Sequence, residues 1–282
     1  MRKILIPTDF SKNAMNAIKY AMELFKYERS DFIIMHAYAD EVYEHNIEIS
    51  RTQFEVYKEK IHEKSDSKLK EVLSNMLLIS PNPRHTYNAL AVFGSLVDEA
   101  NDILDKENIY VLVMGTQGET NDRDISFGSN TLQVIKYVKG PVLAVPSKYH
   151  DVHPKNILFP TDYQLPYQRR YLKLISTLAK CYVATINFLY VSKFDSLSFR
   201  QEDNKSFIES SMTENVTTFL QVKGTDHAAV INNFIEDKNI DMLVMVNSRH
   251  SYLENILETS TIQKIGLKIQ IPFLVLQNLP RC

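Results

Sequence analysis

The chain has 282 residues, about twice the length of a common single domain, so each half is long enough to bury its own core. Hydrophobic residues make up 44% and charged residues 23%, the balance of an ordinary globular protein, which excludes a chain too polar to pack. The formal net charge of −2 supplies no electrostatic reason to bind nucleic acid or an anionic membrane surface, and neither is expected as a partner.

The opening residues MRKILIPTDF turn polar after a very short apolar run. They match neither a signal peptide nor a membrane span of about 20 apolar residues, so a cytoplasmic location is expected. Short apolar or β-branched runs then alternate with segments of three-to-four-residue period, the signature of βαβ units around a parallel sheet. In the first half, strands are expected near 2–7, 31–37, 86–92, 109–114 and 141–145, with helices in the intervals. Ala14, Ala17, Ile18, Ala21, Met22 and Phe25 form one apolar stripe of the first helix, and Ser11 is placed to cap it. A long charged helix is expected over roughly 46–78. SKYHDVHP, at 147–154, is polar, breaks both periodicities and reads as a short linker. The second half yields strands near 155–160, 183–190, 216–222, 240–245 and 271–276. Its two cysteines, Cys181 at a helix end and Cys282 at the terminus, form no disulfide framework or metal spacing.

The chain repeats itself. ILIPTDF at 4–10 returns as ILFPTDY at 157–163, YVLVMG at 110–115 as DMLVMV at 241–246, and GPVLAVP at 140–146 as IPFLVLQ at 271–277. Asp9 and Asp162 are offset by 153 residues but Met114 and Met245 by only 131, so the second copy is 22 residues shorter, the difference falling between its second and third strands.

The chemically informative stretch, GTQGETNDRDISFGSNT from Gly115 to Thr131, follows the fourth strand of the first copy. Gly115 and Gly118 permit positive φ and close backbone approach. Gly128, Ser129, Asn130 and Thr131 open the next helix, where free N–H groups and the helix dipole favour an anion. In a parallel α/β sheet the ligand crevice lies beyond the carboxyl ends of the strands, where Pro7, Thr8 and Asp9 also leave the first strand. Beside this stands the plainer reading of the glycines as turn punctuation, of Asp9 as a turn or cap residue, and of Met114 as core filler. His36 has no paired nucleophile and is assigned no chemistry.

These residues resemble the universal stress protein family, whose nucleotide-binding members carry G-x2-G-x9-G-(S/T), matched here by Gly115, Gly118, Gly128 and Ser129. PTDFS at 7–11, MHAY at 35–38, VFGS at 92–95 and GPVLAVP extend the resemblance over the first 146 residues, and more weakly over the second half. It implies two tandem doubly wound α/β domains, each a five-stranded parallel sheet of Rossmann-like, adenine nucleotide alpha hydrolase-like type, over 1–147 and 154–282. It further implies a stress-response protein binding ATP, or AMP or ADP, in the first domain. Asp9 would contact the ribose or adenine side and the backbone at Ala37 would read adenine. Met114 would line the pocket, and Gly115, Thr116, Gly118, Gly128, Ser129 and Asn130 would hold ribose and phosphates, with Thr131 nearby. Magnesium would bridge the phosphates. Pairing of the halves through their last strands, as an internal dimer, and a homodimer of whole chains are both consistent with the family.

The second copy keeps Pro160, Thr161 and Asp162 but carries Val246, Arg249 and about Glu258 where the first has its three glycines. A carboxylate at a helix entrance repels phosphate, so the second site is expected to be degenerate. The chain has no GxxxxGK(S/T) loop, no GxGxxG after its first strand, and PTDFSKN where ATP-pyrophosphatases of related fold carry SGGxDS. Asp122 and Asp124 read as solvated loop acids, so the protein is not expected to be an enzyme beyond slow hydrolysis. The competing reading is a nucleotide-free scaffold acting through an unknown protein partner.

Overall fold

The structure is a computed structural model that describes residues 1–44, 50–116, 127–147, 149–248, 251–259 and 270–278. These residues divide into two units, one within 1–147 and one within 148–282.

The first unit runs β1 (Arg2–Pro7), α1 (Lys12–Leu24), β2 (Ser30–Ala37), α2 (Ala39–Glu44), α3 (Arg51–Ile79), β3 (His85–Val92), α4 (Leu96–Glu107), β4 (Val111–Gly115), α5 (Ser129–Tyr137) and β5 (Val142–Val145). Its strands lie in the order β3-β2-β1-β4-β5, and every pairing is parallel. Ile4, Leu5 and Ile6 are all 0% exposed, which explains why β1 reads as an unbroken apolar run: helices cover both faces of a parallel sheet. The stripe of α1 is buried as expected, and the Ser11 hydroxyl accepts the Ala14 N–H at 3.1 Å as its cap.

The long charged helix expected over roughly 46–78 is α3, Arg51–Ile79, preceded by the short α2, with residues 45–49 outside the described set. Ser50 and Gln53 explain the fresh start. The serine hydroxyl accepts the Gln53 N–H while the Gln53 carbonyl oxygen accepts the Ser50 N–H, a reciprocal capping box. Ile61, Ser65, Leu69, Val72 and Met76 give α3 one narrow buried stripe.

The second unit runs β6 (Asn156–Pro160), α6 (Arg169–Tyr182), β7 (Thr185–Ser192), α7 (Phe199–Ser211), β8 (Val216–Lys223), α8 (His227–Asp237), β9 (Met242–Asn247), α9 (Tyr252–Thr259) and β10 (Phe273–Gln277). Its order, β10-β9-β6-β7-β8, repeats that of the first unit, again with parallel pairing. The repeat extends to the backbone. Phe10 (φ 64°) and Tyr163 (φ 54°) are left-handed at matching turns, as are Asn108 (φ 50°) and Asn239 (φ 48°) after matching helices. Asparagine tolerates that conformation, whereas an aromatic residue is held there at a cost of about 1–2 kcal/mol.

In each unit, successive strands run one way from the first strand and then the other. The reversal lies between β1 and β4, and between β6 and β9. A crevice opens beyond the carboxyl ends of the strands at such a reversal, and this positions the candidate site.

Candidate functional site

At the end of β1, the Thr8 N–H donates to Met35 O at 2.8 Å, the last rung between β1 and β2. The Thr8 hydroxyl accepts the Phe10 N–H at 3.0 Å, and Asp9 Oδ1 accepts the Ser11 N–H at 3.0 Å. This turn leaves Pro7 and Thr8 buried and Asp9 exposed. Ser11, rather than Asp9, caps the helix, so the Asp9 carboxylate keeps acceptor capacity for a ligand.

Ala37 lies just past that last rung. Strand residues alternate in the direction of their backbone groups. Met35 O faces β1, and the Tyr38 N–H faces the other way, donating to Val92 O at 3.0 Å. The N–H and C=O of Ala37 therefore face the β1 side, beyond the point where β1 ends. Among the described residues no group hydrogen-bonds to either of them.

The neighbouring His36 is held at both ring nitrogens. Its Nδ1 lies 2.7 Å from Thr8 O and its Nε2 lies 2.9 Å from the Glu41 carboxylate, tying α2 to the end of β1. Phe10 packs on the His36 ring with centroids 4.5 Å apart, and the Lys68 ammonium sits 4.8 Å from the centre of the Phe10 ring.

Across the crevice, β4 ends in buried Met114, half-buried Gly115 and buried Thr116. The Gly128 N–H donates to Thr116 O at 2.8 Å and the Thr131 hydroxyl to Gly115 O at 3.0 Å, pinning the start of α5 to the strand end. Thr131 is thus buried and spends its hydroxyl on the scaffold. Among the described residues no side chain caps α5 at its N-cap residue Gly128, and Ser129 and Asn130 are exposed, so the first turn of the helix faces outward. No glycine among the described residues has positive φ, and Gly128 sits at φ −67°. What glycine contributes at 128 is the absence of a side chain. Gly118, Asp122 and Asp124 lie outside the described residues.

The matching turn in the second unit is built alike. The Thr161 N–H donates to Leu189 O at 2.9 Å, Thr161 Oγ1 accepts the Tyr163 N–H at 3.2 Å, and Asp162 Oδ1 accepts the Gln164 N–H at 2.9 Å. A cavity of about 390 Å³ lies at these strand ends, lined among others by Asp162, Arg200, Val246, Ser248, Ser251 and Tyr252. Burial pushes the Asp162 carboxyl above the usual carboxylate range, opposed by its bond from Gln164 and by nearby His227. Burial likewise lowers the His227 imidazole.

Two features of this second cavity differ from the sequence reading. Position 258, matched above to the helix entrance at Gly128, lies inside α9 near its C-terminal end. The segment after β9 folds as a helix because Ser251 caps it, accepting the Glu254 N–H at 3.1 Å, while Tyr252, Leu253 and Ile256 turn inward. Ser251-Tyr-Leu-Glu254 has the S-x-x-E spacing of a capping box followed by an apolar period, a signal the repeat alignment masked. Arg249, Ser260 and Thr261 lie outside the described residues.

The second feature, missed from sequence, is the Tyr252 hydroxyl. It donates to Val191 O at 2.7 Å and accepts the Val191 N–H at 3.2 Å. The Tyr252 ring stacks on His227 with centroids 4.2 Å apart.

The model of the universal stress protein family matches residues 1–146 and 153–277. The universal stress protein MJ0577 of Methanocaldococcus jannaschii is 25% identical over 155 residues, covering 52% of this chain and 96% of that protein. A crystal structure of a universal stress protein from Archaeoglobus fulgidus superposes with a TM-score of 0.67 at 15% identity, over 98% of this chain and 96% of its own. The cytoplasmic domain of a prokaryotic cation chloride cotransporter superposes with a TM-score of 0.54 at 10% identity, over 98% and 95%. At such identities the two structures speak for the fold alone. Among the described residues no helix is long and apolar enough to cross a membrane.

Proposed function

We propose that this chain, which belongs to the universal stress protein family, binds one adenine nucleotide at the strand ends of its first unit and serves as a stress-response sensor whose ligand state alters a partner surface. The observation that carries the reading is Ala37, whose N–H and C=O both face the crevice with no hydrogen-bonding partner among the described residues. Adenine offers an adjacent ring-nitrogen acceptor and amino donor, the complement of one strand residue's donor and acceptor. Ala37 is half-buried, and a backbone donor and acceptor partly withdrawn from water favour a ligand that satisfies both groups.

The surrounding residues suit the rest of a nucleotide. Pro7 and Thr8 hold the turn, the exposed Asp9 carboxylate has capacity for ribose hydroxyls, and Met114 offers an apolar wall to the base. Gly115, Thr116, Gly118, Gly128, Ser129 and Asn130 would take the phosphates, with Thr131 anchoring the helix that presents them. The uncapped N-terminus of α5 suits an anion. Among the described residues no cluster of acidic or histidine side chains could hold a metal by itself, so magnesium would arrive on the phosphates of ATP.

The test is calorimetric titration of ATP with magnesium into nucleotide-stripped protein. Wild type should saturate near one site per chain, and a double variant, Gly118→Arg with Gly128→Glu, should lose binding by at least about 100-fold through bulk and charge at the phosphates. Absence of binding by wild type to ATP, ADP and AMP alike would sink the reading in favour of a scaffold.

A further inference from the structure

The two units differ at the backbone of one matched strand residue. Counting along matched sheet registers, Pro7 pairs with Met35 and Pro160 with Leu189, so the residue two further on is Ala37 in one unit and Val191 in the other. The final rungs also match, Thr8 N–H to Met35 O and Thr161 N–H to Leu189 O. Val191 therefore aims its N–H and C=O into the second crevice as Ala37 does into the first. In the second unit both groups are occupied by a single hydroxyl, that of Tyr252, at 3.2 and 2.7 Å. A hydroxyl can donate and accept at once, and here it satisfies the same donor and acceptor pair that a purine edge would. The flat ring behind it is 8% exposed and lies against His227, in a stacked arrangement with 27° between the planes. Beside it remains the cavity of about 390 Å³, within the range of about 300–1,000 Å³ typical of small-molecule sites.

We propose that the second unit retains a base-reading site of the same design, occupied internally by Tyr252, and that this side chain keeps a purine base out of it. The argument rests on the reading of Ala37 as the base-reading residue of the first unit. The ligand the vacated site would take is a purine nucleoside rather than a nucleotide. Val246 puts a side chain where Gly115 has none, and the segment after β9 is the helix α9, anchored by Ser251. The base position is closed by one removable side chain, whereas the phosphate position is closed by rebuilt backbone.

Adenosine, which has no phosphate, is the probe. In calorimetric titration of the full chain, wild type should bind one adenosine and Tyr252→Ala two, with circular dichroism and thermal melting showing that the variant is folded. One site in both proteins overturns the proposal and leaves the first-unit reading intact. No site in wild type and one in Tyr252→Ala upholds the closed second site, and the first-unit reading then stands or falls on the ATP titration above. No site in either protein overturns the proposal, and the ATP titration again decides the first-unit reading. Should the alanine variant fail to fold, Tyr252→Leu carries the test, because it keeps an apolar anchor for α9 while removing the hydroxyl and part of the ring. A second adenosine site in that folded variant supports the proposal, and an unchanged count overturns it.

Discussion

Ala37 and Val191 occupy one position of a repeated fold and have opposite surroundings. In the first unit the strand end is open: the backbone pair at Ala37 has no partner among the described residues, Gly115 has no side chain, and the first turn of α5 lacks a side-chain cap. In the second unit the same strand end is filled: Tyr252 takes the backbone pair, Val246 replaces the glycine, and α9 follows β9. The preceding residue diverges in parallel. His36 is held by Glu41 of α2, while its counterpart Tyr190 receives a hydrogen bond from Gln201 of α7 at 3.3 Å. The lesson is that a parallel sheet leaves polar groups at its strand ends in every copy, and these must find a partner either from within the chain or from solution. Divergence of a duplicated domain then consists largely in changing which of the two supplies it.

That contrast can be broken from the filled side first. Tyr252→Phe leaves the Val191 N–H and C=O buried without the hydroxyl, and should destabilise the second unit by about 1–3 kcal/mol in urea unfolding, with binding to the first unit unchanged. Because the chain has two units, the effect should appear in one transition only. Next in size is Val183, a β-branched residue held in the left-handed region at φ 53° after α6 and 86% exposed. Val183→Gly relieves the clash and should raise the stability of the second unit by about 1 kcal/mol, read by the same unfolding curve.

A smaller and pH-dependent effect is expected at Asp162. Its carboxyl is raised by burial, so its ionisation favours unfolding, and the stability it contributes while protonated is lost as pH rises through the folded-state value. Asp162→Asn retains an acceptor for the Gln164 N–H and should melt above wild type at pH 7, the gain shrinking toward pH 4. A gain independent of pH would show that desolvation of the charge is not its cause. Smallest is Glu41→Ala in the open unit. The Glu41 side chain is 45% exposed, so loss of its contact with His36 should cost no more than about 0.5 kcal/mol by thermal melting.

Much of this architecture is legible in the sequence because strands covered on both faces must be apolar throughout. Runs such as KILIP, YVLVMG and ILFP cannot be placed elsewhere, and the repetition of PTD after two of them marks equivalent strand ends. The open site is legible where it depends on local chemistry: Ser11 as a cap, Gly128 at a helix start, and Asp9 at a turn. The filled site is not, because Tyr252 meets Val191 across 61 residues and nothing local to either residue announces the contact. The placement of position 258 at a helix entrance went astray for a related reason. Alignment by offset assumes equal loops, whereas α9, capped by Ser251, begins at Tyr252 soon after β9 ends at Asn247, and α5 begins at Ser129 well after β4 ends at Gly115. Left-handed Val183 defies sequence reading altogether, since valine is among the residues least suited to that conformation.

The clasp on Val191 also has a consequence in time. Its amide hydrogen is held in a buried hydrogen bond, so it should leave the protein for heavy water only when the second unit opens. The amide of Ala37 has no such restraint from the described residues and should exchange much sooner, slowing when a base covers it. The two hydrogens thus form a paired clock: one keeps the time of the second unit's opening, and the other, on the proposed reading of Ala37, the time of ligand exchange.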